Sequence, residues 1–225
     1  MTTIIYKNGT LFADRRQTVT RMKDGKEMGV QHIDNMRKIV VPTNLYVGER
    51  KVLAFAAAGD SSWIKYTELM DKTCVEMGVR VNILDKDYIK PMADKTKYST
   101  RMLAVTADSV VVMTLLGEEI EVQEYALTSY VIFGSGFDTP GIVDTITKVS
   151  PEVAMADAIA FDPHSGGDVD RWMFGRDGID TLTLNSVYSK FTRKMLSLTK
   201  TLSYIKDVWR IETTRQKMAQ QIQTA

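Results

Sequence analysis

The dipeptide Asn8-Gly9, set between two runs of β-branched and aromatic residues, constrains this chain more than any other feature. A type I′ turn needs two successive residues with positive φ, and Asn-Gly meets that need at low cost. Thr3 to Lys7 and Thr10 to Ala13 therefore read as the arms of a β-hairpin. The turn fixes the register: Lys7 faces Thr10, Ile5 faces Phe12 and Thr3 faces Asp14. The start of the chain is thereby held beside Asp14-Arg15-Arg16.

A segment rich in charge and glycine, Arg21 to Asn35, reads as a loop. Lys38-Ile39-Val40-Val41 and Lys51 to Phe55 read as a second pair of strands, and Ala56 to Asp60 as a small-residue turn. Asp60 can cap a helix that runs to about Met77, with Gly78 as its stop. Met102 to Thr106, Ser109 to Leu116, Glu119 to Val122 and Ser129 to Phe133 are strand-like. Gly134-Ser135-Gly136 leads into a helix near Gly141 to Val149. Ser150-Pro151 opens another helix that ends near Phe161. Two more strand-like runs, Asp168 to Phe174 and Asp180 to Leu184, flank a glycine turn that precedes no helix and so is not a phosphate loop. The order predicts an α+β fold: a four-layer αββα sandwich of two antiparallel sheets flanked by helices.

The last forty residues form a separate segment. Tyr188, Phe191, Met195, Leu198, Leu202, Ile205 and Trp209 recur at alternating spacings of three and four. This heptad stripe predicts a long C-terminal amphipathic helix over 185–225, beyond a main domain at 1–184.

Composition excludes several classes of function. The 225 residues carry a formal net charge of +1, so no global field favours nucleic acid or a membrane surface. No apolar run reaches the roughly 18 residues of a membrane span, and the N-terminus lacks a signal-peptide pattern. One cysteine, Cys74, excludes an internal disulfide and reads as a core residue of the first helix. The two histidines, His32 and His164, stand alone and give no zinc spacing. A cytoplasmic protein without metal or cofactor is the expectation.

Four separated segments are similar to one family. Met-Thr-Thr-Ile-Ile with its Asn-Gly turn and Ala-Asp-Arg-Arg-Gln-Thr resembles the opening of proteasome β subunits and of the bacterial heat-shock-locus threonine peptidase. Arg37-Lys38-Ile39 resembles the family's lysine strand, and Gly134-Ser135-Gly136 its GSG turn. Ala160 to Gly167 is similar to its A-x-D-x-x-S-G-G segment. The resemblance covers roughly residues 2 to 184.

That family consists of N-terminal-nucleophile hydrolases. The resemblance implies a threonine-type endopeptidase in which removal of Met1 exposes Thr2. A threonine hydroxyl is a poor nucleophile and needs a nearby base. The α-amine of a terminal threonine, with a pKa of about 7.7–8.0, suits that task. By resemblance, Lys38 stabilises the alkoxide and Asp14 holds Lys38 charged. Ser135, Asp162 and Ser165 hydrogen-bond around the amine, and Arg16 braces Asp14. A backbone N–H near Ala56 serves as the oxyanion donor. The implied substrate pocket is lined by Gln17, Thr18, Met36, Val40, Ala54, Ala58 and Ser62, which carry no fixed charge. The implied partners are unfolded polypeptide, further copies in stacked homo-oligomeric rings and an AAA+ ATPase unfoldase, with neither membrane nor nucleic acid.

Three features depart from the family pattern. The first hairpin is about two residues shorter on each arm, a symmetric loss that preserves facing. Alanine stands at 56 where the family has glycine, and the stretch from Met77 to Lys97 is less helical. A non-catalytic shell subunit and a small-molecule amidase with the same nucleophile are the competing readings.

Overall fold

The structure is a computed structural model that describes residues 2–24, 26–60, 62–93, 100–116 and 119–183. The expected C-terminal helix lies outside the described residues. In chain order the elements begin with β1 (Thr3–Lys7), β2 (Thr10–Asp14), β3 (Gln17–Lys23), β4 (Lys26–Ile33), β5 (Ile39–Val40), β6 (Leu45–Val47), β7 (Arg50–Lys51) and β8 (Ala54–Ala58). Then come α1 (Ser62–Met77), β9 (Val81–Asn82), α2 (Lys86–Ala93), β10 (Thr100–Val105), β11 (Ser109–Leu116), β12 (Glu119–Ala126) and β13 (Tyr130–Gly134). A 3-10 turn over Ser135–Asp138 leads to α3 (Ile142–Lys148), α4 (Pro151–Phe161), β14 (Val169–Met173) and β15 (Asp180–Leu182).

Two five-stranded antiparallel sheets form the body. The first has the order β13-β1-β2-β14-β15 and the second β12-β11-β10-β8-β5. The hairpin turn is as its residues dictate, with Asn8 at φ 48° and Gly9 at φ 76°, and the register pairs Ile5 with Phe12 and Lys7 with Thr10. Side chains alternate across each strand, and that alternation builds the layers. Ile4, Tyr6, Leu11, Ala13, Phe133 and Trp172 of the first sheet meet Ile39, Ala54, Ala56, Leu103, Val105 and Val112 of the second. The opposite face of the second sheet presents Phe55, Met102, Ala104, Val111 and Met113 to Trp63, Ile64 and Cys74 of α1 and to Tyr88 and Ile89 of α2. On the far side of the first sheet α4 packs against β1 and β2, and α3 packs on α4. The result is the expected αββα order of layers, with Cys74 in the core.

Local chemistry sets the helix ends. Asp60 Oδ1 accepts from the Ser62 N–H at 2.9 Å and opens α1, which buries Trp63, Ile64, Thr67, Asp71 and Cys74 along one stripe. Gly78 stops it at φ 67°. Ser150 Oγ accepts from the Val153 N–H, with Pro151 in the first turn of α4.

Two local expectations are corrected. The charged segment after Arg21 is mostly a hairpin, because β3 and β4 pair from Gln17–Ile33 to Lys23–Lys26. Ala56 to Ala58 continue β8 and the turn begins at Gly59, since β8 is flanked by β10 and β5, with Ala56 opposite both Leu103 and Ile39. A run of alanines carries no periodicity of its own, so its neighbours decide.

Candidate active site

The site gathers at one end of the first sheet. Thr2 precedes β1 and is 4% exposed. Its carbonyl accepts from the Ser135 N–H at 2.9 Å. Gly134 makes this approach feasible: a Cβ there would lie 1.7 Å from the Thr2 carbonyl oxygen, and its φ is +97°. Gly136 serves the next residue, since a Cβ at that position would lie 2.0 Å from Thr3 Oγ1. The Gly-Ser-Gly signature is therefore a steric requirement of the chain start.

Asp14, at the end of β2, is fully buried. Its Oδ1 accepts from the Thr3 N–H at 2.7 Å and from Lys38 Nζ at 3.1 Å. Its Oδ2 accepts from the Gly166 N–H at 2.9 Å and the Arg16 N–H at 3.2 Å. Lys38 also donates to the Arg16 carbonyl at 2.5 Å. Burial pulls the Lys38 ammonium below its ordinary value, opposed by the Asp14 charge and hydrogen bond. Burial likewise raises the Asp14 carboxyl, against Lys38 and the N–H donors of Thr3 and Gly166.

A second cluster stands beside it. Asp162 Oδ2 accepts from Ser135 Oγ at 2.5 Å and Ser165 Oγ at 2.6 Å, and its Oδ1 accepts from the His164 N–H at 2.9 Å. Burial raises the Asp162 carboxyl, but the hydrogen bonds from Ser135, Ser165 and His164 together outweigh it and hold the group below its usual range. Ser165 Oγ lies 2.5 Å from Thr3 Oγ1. The structure thus brings Thr2, Asp14, Lys38, Ser135, Asp162 and Ser165 together, with both serine hydroxyls bonded to Asp162 and that of Ser165 also to Thr3.

Arg16 braces Asp14 through its backbone rather than its guanidinium. That group pairs with both oxygens of Asp34 at 2.7 and 2.8 Å and reaches the carbonyls of Pro163 and Ser165. It explains the Ser-Gly-Gly signature: a Cβ at Gly166 would lie 2.4 Å from Arg16 Cζ, and one at Gly167 would lie 3.0 Å from Asp34 Cβ. Sequence reasoning missed Asp34, Thr3 Oγ1 and the Gly166 N–H; the paired glycines were the available signal for the last.

The expected substrate wall is not one surface. Ala54 is fully buried and Ala58 nearly so, both in the core between the sheets. Val40 and Met36 pack on the opposite face of the second sheet, because neighbouring strand residues alternate sides. Gln17 and Thr18 lie half-buried on β3, and Ser62 donates to Asp60 at the start of α1. Ala56, inside β8, lies in no turn. A groove of about 450 Å³ runs between β5, α1 and the β14–β15 turn, lined by Ile39, Val40, Asp71, Lys72 and Ile179 among others, and shares only Val40 with the expected wall. Among the described residues no group of three or more His, Cys, Asp or Glu is arranged to hold a metal ion, and no helix is long and apolar enough to cross a membrane.

No family model matches this chain, and no curated protein matches it. Among solved structures it is similar to Anbu (ancestral beta-subunit) from Yersinia bercovieri, with a TM-score of 0.59 and 11% sequence identity, over 89% of this chain and 97% of that one. At that identity the likeness is one of fold, and this chain has a proteasome-like fold.

Proposed function

We propose that this protein is a threonine-type endopeptidase of the N-terminal-nucleophile kind, acting on unfolded polypeptide inside an oligomeric ring once Met1 is removed. The observation that carries the reading is Asp14 Oδ1, which accepts from both the Thr3 N–H and Lys38 Nζ. One carboxylate thereby ties the cation to the residue that follows the nucleophile. The Asp162 cluster on the other side supports it.

In this reading the Thr2 hydroxyl attacks the scissile carbonyl and its own α-amine takes the proton. That proton passes to the leaving amine as the C–N bond breaks, leaving an ester on Thr2. Water, deprotonated by the same amine, then hydrolyses the ester. Lys38 lowers the energy of the developing alkoxide, an interaction of a kind worth roughly 3–4 kcal/mol. The oxyanion donor would come from the backbone beyond Ala56, where the chain leaves β8. Cytoplasmic work with an ATPase unfoldase fits the same reading.

The test begins with the mass of the purified N-terminus, which should lack Met1. Thr2→Ala should abolish turnover of peptide reporters while circular dichroism stays unchanged, and an electrophilic peptide ester should leave its acyl group on Thr2. Undiminished turnover in Thr2→Ala removes the assignment. A retained Met1 on folded protein without turnover favours a non-catalytic shell subunit.

A further inference from the structure

Among the strand edges that lack a partner strand among the described residues, two are long and carry charge of one sign. One is β3 of the β3–β4 hairpin, which forms a sheet of its own. The other is β12, the eight-residue end strand of the second sheet. An open edge presents unpaired N–H and C=O groups and is a template for strand addition.

The two edges are opposite in chemistry. β3 carries Arg21 and Lys23 and no acidic residue, and the turn and β4 add Lys26 against Asp24 and Glu27; Arg21, Lys23 and Lys26 are exposed. None makes an ion pair with another described residue; Arg21 binds only the neutral Gln31. β12 carries Glu119, Glu121 and Glu124 and no basic residue. Glu124 is ion-paired with Arg50 and Glu121 accepts from the neutral Gln123, which leaves Glu119 and Glu121 without an ion pair among the described residues. Apolar surface accompanies both edges: Met28 and Val30 are 64% and 47% exposed, and Leu116 and Val122 are 55% and 46% exposed.

One molecule therefore presents both a basic edge and an acidic edge. Two β12 edges repel each other, so self-pairing of like surfaces is disfavoured and a head-to-tail contact is favoured. Contacts of that kind generate rings when the rotation closes. The bulge in the hairpin falls on β4 and leaves β3 regular: Arg21 pairs with Gly29 and Met22 with Glu27, so Met28 is the extra residue.

We propose that the hairpin of one copy docks on the β12 edge of a second copy. Distal β3 adds antiparallel to the start of β12, so that Lys23 lies opposite Glu119 and Arg21 opposite Glu121. These pairs are two residues apart on both strands and share one face.

Size-exclusion with light scattering tests it. The wild type should run at a multiple of the 25.3 kDa chain mass. It should lose mass as salt rises, because exposed charge pairs are screened. Arg21→Glu with Lys23→Glu, and separately Glu119→Lys with Glu121→Lys, should each fall to the single-chain mass. All four reversals in one chain should restore the multiple. Circular dichroism establishes that each variant is folded, and should a double reversal misfold, Arg21→Gln with Lys23→Gln serves in its place. A single-chain wild type, an unchanged mass in either folded double variant, or a folded quadruple variant that stays at single-chain mass overturns the proposal. It concerns assembly alone, so the same series in Thr2→Ala protein gives the same answer whether or not the chain is a peptidase.

Discussion

Lys38 Nζ stands 3.1 Å from Asp14 Oδ1, and the two side chains are 4% and 0% exposed. Neither charge has water to fall back on. Removing one member of such a pair leaves the other as an uncompensated buried charge, at a cost of about 3–5 kcal/mol. Lys38→Met should therefore lower unfolding stability by about that amount and abolish peptide turnover. Asp14 keeps three N–H donors, from Thr3, Arg16 and Gly166, which places the loss at the lower end. Urea denaturation measures it, and Asp14→Asn added to Lys38→Met should recover part of the stability but none of the activity. A Lys38→Met protein with more than a tenth of wild-type turnover would contradict the role of this lysine.

The glycines beside the chain start should rank in a definite order. At Gly136 a methyl group meets Thr3 Oγ1 and Ala158 Cβ, both side-chain atoms, and overpacking of that sort costs about 1–3 kcal/mol. At Gly134 it meets the Thr2 carbonyl itself, and φ is +97°. Gly134→Ala should thus be the more destabilising, because backbone cannot swing aside. Thermal unfolding of the two variants checks the order.

The Asp162 carboxyl is held below its usual range by Ser135, Ser165 and the His164 N–H. The unfolded chain binds the proton more readily, at a pKa of about 3.9. The stabilisation is therefore complete above that pH and is lost as pH falls through the lower folded value. Asp162→Asn should remove this acid-side component and flatten stability against pH between about 5 and 3. Chemical denaturation at stepped pH gives the slope, and an unchanged slope would contradict the direction.

Truncation after Leu184 tests the heptad stripe of Tyr188 to Trp209. A stripe that packs between subunits should leave the shortened protein as smaller species, with turnover falling in step with ring integrity. Unchanged assembly and turnover would mean that the extension serves neither.

Where local chemistry is decisive, the residues alone determined the outcome. Asn8-Gly9 set the first turn and its register, Asp60 and Gly78 bounded α1, and Ser150-Pro151 opened α4. Runs of β-branched and apolar residues marked most strands of both sheets, and the spaced signatures brought six separated side chains to one site. Segments without periodicity were decided by their neighbours instead. Ala56 to Ala58 became strand because β10 and β5 flank them, and the charged stretch around Arg21 became a hairpin because β3 and β4 pair. The bond from the Gly166 N–H to Asp14 spans 152 residues of chain. Which face Val40 and Ala54 present depends on which layers cover the second sheet, and tertiary packing put them on opposite sides. A short-range pattern records what a residue does to its own backbone, whereas contacts across layers arise only when distant strands meet.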